Sequence, residues 1–238
     1  MSWFLRGLLG GIRTTRYPKQ RETAAGVTPG LPTGVAEASL SQRALALVCP
    51  TEAISATNAA IDVREERCVH CMRCAPGVAH DPLPWRRDSE WATGVNRLLE
   101  DVRLGSAFRK SIHVRVLDAG DCGACLSEIA HLNDPLYNMH RLGIFFTPTP
   151  RKADVLIVVG PVTEQMRGPL LETYDAMPEP KRVIAVGACA ASGGIFGPSF
   201  TSAGGALDVV PVDVVVPGCP PPPLAVLDAL LAIAGNVT

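Results

Sequence analysis

Nowhere does this sequence supply the roughly 18 to 20 uninterrupted apolar residues that a bilayer span needs, and the apolar start WFLRGLLGGI is too short and too Arg-flanked to serve. A small-residue cleavage site is missing as well, so no secretory signal is expected. An excess of charge is also lacking, since 22 basic and 23 acidic residues leave a net charge of -1. Phosphate backbones require a concentrated positive field, so no nucleic acid is expected as a partner. The 238 residues are 47% hydrophobic, ample for a packed core in one large domain or two smaller ones.

Cysteine, by contrast, is plentiful. Eight thiols without a secretory signal point to a reducing compartment, where clustered cysteines hold metal more often than they form disulfides. They fall into two sets of four: Cys49, Cys68, Cys71 and Cys74, then Cys122, Cys125, Cys189 and Cys219. Four thiolates are the ligand set of an iron–sulfur cluster or of a structural zinc.

Residues 1–21 carry Arg6, Arg13, Arg16, Lys19 and Arg21 without an acid, interleaved with Trp3, Phe4, Leu5, Leu8, Leu9 and Ile12. That pattern suits a short amphipathic helix on a membrane surface or in a partner's groove, with a basic solvated terminus as the alternative. Residues 22–38 are rich in turn formers and read as an extended linker. Residues 81–110 form a polar connecting segment in which WATGVNRLLEDV has the spacing of a helix.

From residue 111 the pattern changes. IHVRVL, ADVLIVVG, RVIAVG and VVPVDVVVPG are Val- and Ile-rich runs bounded by Gly or Pro, and TEQMRGPLLETYDAM and the C-terminal PPPPLAVLDALLAIAG read as helices. Alternation of buried strands with helices implies a parallel sheet, and a flavodoxin-like α/β domain over 111–238 is expected. On that sheet Cys122 and Cys125 follow the first strand, Cys189 follows RVIAVG and Cys219 follows the last run. All four then sit beyond carboxyl ends of strands, the edge at which open α/β sheets bind ligands. One pair plus two distant singles is unlike the paired knuckles of zinc, so iron–sulfur is favoured. Glycines beside each ligand permit tight turns and bring N–H groups toward sulfur.

DCGACLSEI, GACAASGGIFG and VPVDVVVPGCPP, with TPTPRKADVLIVVGPVT between, strongly resemble the small-subunit family shared by membrane-bound [NiFe] hydrogenases of the formate-hydrogenlyase type and the 20 kDa subunit of respiratory complex I. The resemblance covers about residues 111 to 234. It implies that Cys122, Cys125, Cys189 and Cys219 hold a [4Fe-4S] cluster facing a large subunit. The complex I branch has adjacent cysteines in the first motif, whereas here two residues separate Cys122 from Cys125, as in the hydrogenase form C-x-x-C-x-x-E. Glu128 then corresponds to a family glutamate near the proton route, although a carboxylate early in a helix has the same local appearance.

The first set is read through C-x-x-C-x-x-C-x-x-x-C-P, whose last cysteine serves the other cluster in two-cluster ferredoxins. Counting back from Cys49 puts the missing ligands at Ser39, Gln42 and Leu45, and counting forward from Cys74 puts another at Val78. One cluster's ligands are thus lost whole, and Cys49, Cys68, Cys71 and Cys74 are the complete set of the other. A ferredoxin-like α+β domain with one [4Fe-4S] cluster is expected over 39–80. His70 lies between two of these cysteines and is the alternative ligand, but with four cysteines available it is expected to be exposed.

Together these readings give an iron–sulfur subunit with two [4Fe-4S] clusters and no catalytic centre of its own, relaying electrons between a soluble carrier and a hydrogenase-like large subunit. The resemblance further implies antiporter-like membrane subunits and a peripheral place on the cytoplasmic side of the cell membrane. A complex I-type subunit donating electrons to quinone, and a zinc-stabilised scaffold, are the alternatives.

Overall fold

The computed structural model describes residues 2–11, 15–22, 24, 26–95 and 98–235; Arg13 and Ile12 of the basic start, and Asn96 and Arg97, lie outside them. In chain order the elements are α1 (Trp3–Gly10), β1 (Leu31–Pro32), α2 (Leu40–Val48), β2 (Ile54–Ala56), β3 (Ile61–Val63), β4 (Trp85–Arg86) and β5 (Thr93–Gly94). There follow β6 (Ile112–Asp118), α3 (Ala124–His131), β7 (Ile144–Phe146), β8 (Val155–Val159), α4 (Glu164–Asp175), β9 (Arg182–Val186), α5 (Ala188–Ser192), β10 (Val214–Val216) and α6 (Pro223–Ala234).

The main sheet has the order β5-β10-β9-β8-β6-β7. Its five strands from β6 onward are mutually parallel, and in chain order they run 2-1-3-4-5 across the sheet, the doubly wound arrangement of flavodoxin-like domains. β8 is buried along its whole length, as a strand covered on both faces must be. One face carries α3 and α6 on Val114, Ile157, Ile184 and Val214; the other carries α4 and α5 on Leu156, Val158, Val183 and Val215. Every residue of α6, Asp228 included, is buried, because the turn Leu99–Val102 and the N-terminal segment cover the side turned away from the sheet.

Two segments differ from the sequence-based expectation. The stretch 22–38 is packed rather than a free tether: Leu31 is fully buried, β1 pairs with β4, and Val35 bridges Ile61. The expected helix in WATGVNRLLEDV is instead an edge strand and a 3-10 turn. Thr93 and Gly94 pair antiparallel with β10, Val95 N–H donates to Asp213 O, and Trp91 is wholly buried, so tertiary pairing overrides helical spacing.

Before the sheet, α2 and the β2–β3 hairpin enclose a small core of Ile54, Ile61, Cys74 and Leu83. Ser39 and Gln42 form a capping box at the start of α2, Ser39 Oγ accepting from Gln42 N–H at 3.0 Å and Gln42 Oε1 from Ser39 N–H at 3.2 Å. Leu45 packs into that core. α1 makes no such packing, and none of its side chains is buried.

Candidate functional site

The loops that carry the first four cysteines are tied by Thr51, whose buried hydroxyl donates to Arg67 O at 2.7 Å. Cys49 ends α2, and Cys68 ends the 3-10 turn Glu65–Arg67 with its N–H on Glu65 O. Beyond Cys68 the backbone turns left-handed at His70 (φ 49°) and again at Met72 (φ 62°). The winding brings the thiols of Cys49, Cys68, Cys71 and Cys74 to one cavity, which Ile54 and Trp85 also line. Burial pushes the Cys68 thiol up to about 12 and that of Cys74 to about 11, and the neighbouring thiolates add to both. At Cys49 burial also raises the pKa, but backbone N–H groups of Thr51, Ile54 and Ala53 outweigh it and bring the thiol below its usual range.

The set is suited to a cationic core. Four thiols that repel one another as anions in an apolar cavity are stabilised as thiolates by bound metal. Trp85 hydrogen-bonds toward the Cys74 thiol, His70 Nε2 on the same wall is buried without a hydrogen-bond partner among the described residues, and sulfur within a cluster would accept from such donors.

The second four sit at the carboxyl edge of the main sheet. Asp118 Oδ1 accepts from the N–H groups of Gly120 and Asp121, and Asp121 Oδ2 from those of Gly123 and Leu126, which fixes the β6–α3 turn. Cys122 is exposed on that turn and Cys125 buried in the first turn of α3. Cys189 lies on α5 and Cys219 just past β10. Gly187 shows how closely these loops meet. Its φ of 91° and ψ of 157° are open essentially to glycine, and a Cβ there would lie 2.6 Å from Cys125 Sγ. A Cβ on Gly194 would likewise lie 2.9 Å from Cys189 Sγ. Burial raises the Cys125 thiol, and the charges of Asp121, Cys219, Cys189 and Cys122 raise it further. Burial also lifts Cys189, to about 11, with Cys219 and Cys122 contributing. Both sets named from the sequence are therefore gathered in space, each by itself. Among the described residues no three His, Cys, Asp or Glu side chains converge as ligands of one ion; in a cluster each thiolate takes a different iron.

Glu128, half-buried on α3, has its carboxyl raised by burial, with His131 opposing. With His131, Tyr137, His70 and Cys219 it lines an open cavity beside the second set. His70 is not exposed as expected. It is wedged between the sets, edge-on to Trp91 at 5.7 Å, and burial holds its imidazole down to about 4. Its Nδ1 accepts the N–H of Cys219 at 3.2 Å. Ser192 Oγ, whose one proton is shared between Glu66 O and Ala188 O, both at 3.1 Å, makes a second link between the sets. The sequence reading named His70 but not its tie to Cys219, and did not single out Ser192, because their partners lie far away along the chain. The Asp118 and Asp121 turn was readable from DAGDCG, since aspartate caps backbone two or three residues on.

The chain belongs to the family of NADH ubiquinone oxidoreductase, 20 Kd subunit, a family of oxidoreductase subunits, whose model matches residues 122–233. It is 48% identical over 128 residues to an uncharacterized protein of Methanocaldococcus jannaschii, covering 53% of this chain and 86% of that one. Formate hydrogenlyase subunit 7 of Escherichia coli is 40% identical over 146 residues, 61% of this chain. The match spans 55% of that relative's own length. A chain in the structure of the membrane-bound sulfane sulfur reductase, an archaeal respiratory membrane complex, is 31% identical with a TM-score of 0.49, covering 55% of this chain and 72% of that one.

Proposed function

We propose that this chain is the electron-transferring iron–sulfur subunit of a membrane-associated, hydrogenase-like complex. The observation that carries the reading is the gathering of eight cysteines into two sets of four on adjoining loops. When bound, a [4Fe-4S] cluster supplies one-electron storage at each set. Cys49, Cys68, Cys71 and Cys74 hold one, in a ferredoxin-like domain over 39–80; Cys122, Cys125, Cys189 and Cys219 hold the other. Support for a ferredoxin-like half with its second site lost comes from α2, where Ser39, Gln42 and Leu45 serve as helix cap and core instead of ligands.

The catalytic metal belongs to a large-subunit partner. Ile195, Phe196 and Phe200 in the loop after Cys189 are exposed, Phe200 at 95%, and suit that contact. Electrons come from or go to a soluble carrier through the first set. Glu128 is assigned to proton exchange at the cavity beside Cys219. The two-residue spacing of Cys122 and Cys125, and the likeness to a formate hydrogenlyase subunit, favour the hydrogenase form over quinone reduction. α1 serves attachment to the membrane or to antiporter-like subunits on the cytoplasmic side.

Anaerobically purified protein should carry about eight irons, from two four-iron cubanes. Cys71→Ala and Cys219→Ala should each lower this to about four and remove a different low-temperature electron paramagnetic resonance signal. A wild type with about four irons, or with zinc in place of iron, would refute the two-cluster reading.

A further inference from the structure

Of the links between the two cysteine sets, one runs through a ring that sits inside the first ligand loop. His70 lies between Cys68 and Cys71 in sequence and lines the cavity of the first set. It also lines the open cavity at Cys219, so its ring stands in the wall the two share. Nδ1 accepts the Cys219 N–H at 3.2 Å, across 149 residues of chain. A ring nitrogen that accepts an N–H carries no proton, so the imidazole proton is on Nε2. The left-handed backbone at His70 aims the ring this way, and histidine tolerates that conformation better than most residues do. Trp91, wholly buried, packs edge-on against the ring and holds its orientation.

We propose that His70 is a coupling strut between the two ligand sets: from within the first ligand loop it fixes the position of Cys219 and takes up that residue's N–H. This rests on the two-cluster reading. Amide hydrogen bonds to ligand sulfur or to a cluster tune its potential. At Cys219 the amide is committed to His70 instead, so a change in the first loop must be felt at the second set. Pro220 to Pro223 have no amide, so the Cys219 N–H is the last before Leu224 and is committed to a residue of the other set. His70 thereby acts as a positioning residue. It is not a ligand, and no bond forms or breaks at it.

The test uses the intact chain with both clusters. His70→Phe keeps a ring and removes the acceptor; His70→Asn keeps an acceptor oxygen near the place of Nδ1 and tolerates the left-handed backbone. Readouts are iron content, amide hydrogen exchange over Gly218 to Leu224, and the resonance signal and midpoint potential of the second set. Expected for His70→Phe is a full iron content, Cys219 exchange faster by tenfold or more (on the order of one lost hydrogen bond), and a shifted second-set signal. His70→Asn should restore slow exchange and most of the wild-type signal. A His70→Phe protein with eight irons, wild-type exchange and an unchanged second-set signal would overturn the strut. Iron near four in the wild type would instead mean that the two-cluster reading itself had failed. Should His70→Phe not fold, the wild type decides: protection of the Cys219 amide supports the strut, and exchange at the open-chain rate ends it.

Discussion

Each thiol of the second set owes its place to residues that carry no chemistry themselves, and Gly187 shows this most sharply. Its backbone occupies a region costing other residues on the order of 1–3 kcal/mol, and the space where a side chain would begin is filled by Cys125 Sγ at 2.6 Å. Gly187 N–H donates to Val216 O at 2.8 Å and Ala188 N–H to Gly218 O at 2.8 Å, so the loops of Cys125, Cys189 and Cys219 meet at this residue. A methyl group there must move the sulfur or part the loops. For Gly187→Ala we expect iron to fall from about eight to about four while the first set's signal remains, with unfolding free energy lower by on the order of 1–3 kcal/mol. Iron analysis beside denaturant unfolding measures both, and a variant with unchanged iron and stability would show that the junction yields. His70 belongs to the same class of residue, since its worth lies in the thiol-bearing loop it restrains.

At the scale of elements, α6 is the member whose burial raises a question of charge, because Asp228 lies inside with 7% exposure. Tyr17 OH donates to its Oδ1 at 3.2 Å and Ala92 N–H also reaches it. Burial still dominates, and with Glu90 nearby it pushes Asp228 from 3.8 to about 6. A folded-state pKa above the unfolded one means that the folded chain binds the proton more tightly. This group's contribution to stability is therefore full below about pH 4 and falls as pH rises to about 6. Above that, holding the ionised carboxylate inside costs on the order of 3 kcal/mol. Asp228→Asn removes the titration, so the stability difference between variant and wild type should move in the variant's favour from pH 4 to 6 and then level off. Urea unfolding at a series of pH values reads that difference, and a gap that does not vary with pH would contradict it. The sequence announced α6, α4 and β6, β8 and β9, because long apolar runs bounded by Gly or Pro carry their own signal. It did not announce β1, β4 or β5, two-residue strands whose existence depends on partners elsewhere in the chain. The grouping of thiols was legible from spacing, whereas the struts His70 and Ser192 were not, since their partners lie 149 and 126 residues away.

Across the whole molecule the N-terminal segment divides into an anchored part and a displayed part. From Thr15 onward it is pinned: Thr15 N–H donates to Leu136 O, Arg141 Nη2 donates to the carbonyls of Thr15 and Tyr17, and Arg21 pairs with Glu90 at 2.6 Å. α1, before that anchor, exposes Trp3 at 85% and Leu9 at 76%, with Phe4, Leu5 and Leu8 beside them. No helix among the described residues is long and apolar enough to cross a membrane. Fully burying large apolar side chains contributes roughly 1.5–3 kcal/mol each, and each basic residue near an anionic leaflet adds about 1 kcal/mol. Five such apolar side chains beside Arg6 would hold a subunit at a membrane or in a partner's groove, whereas none of them is buried within its own chain. Removing residues 2–11 should therefore leave both clusters and the fold intact, because the anchor from Thr15 onward is retained. The truncated protein should lose most of its recovery with cell membranes and with co-purifying subunits, and it should no longer float with anionic lipid vesicles if the surface is lipid. Floating of the full chain but not the truncated one assigns α1 to the bilayer; loss of co-purification without any vesicle binding assigns it to a protein groove. Equal recovery of the two proteins in both assays would reduce α1 to a basic solvated terminus.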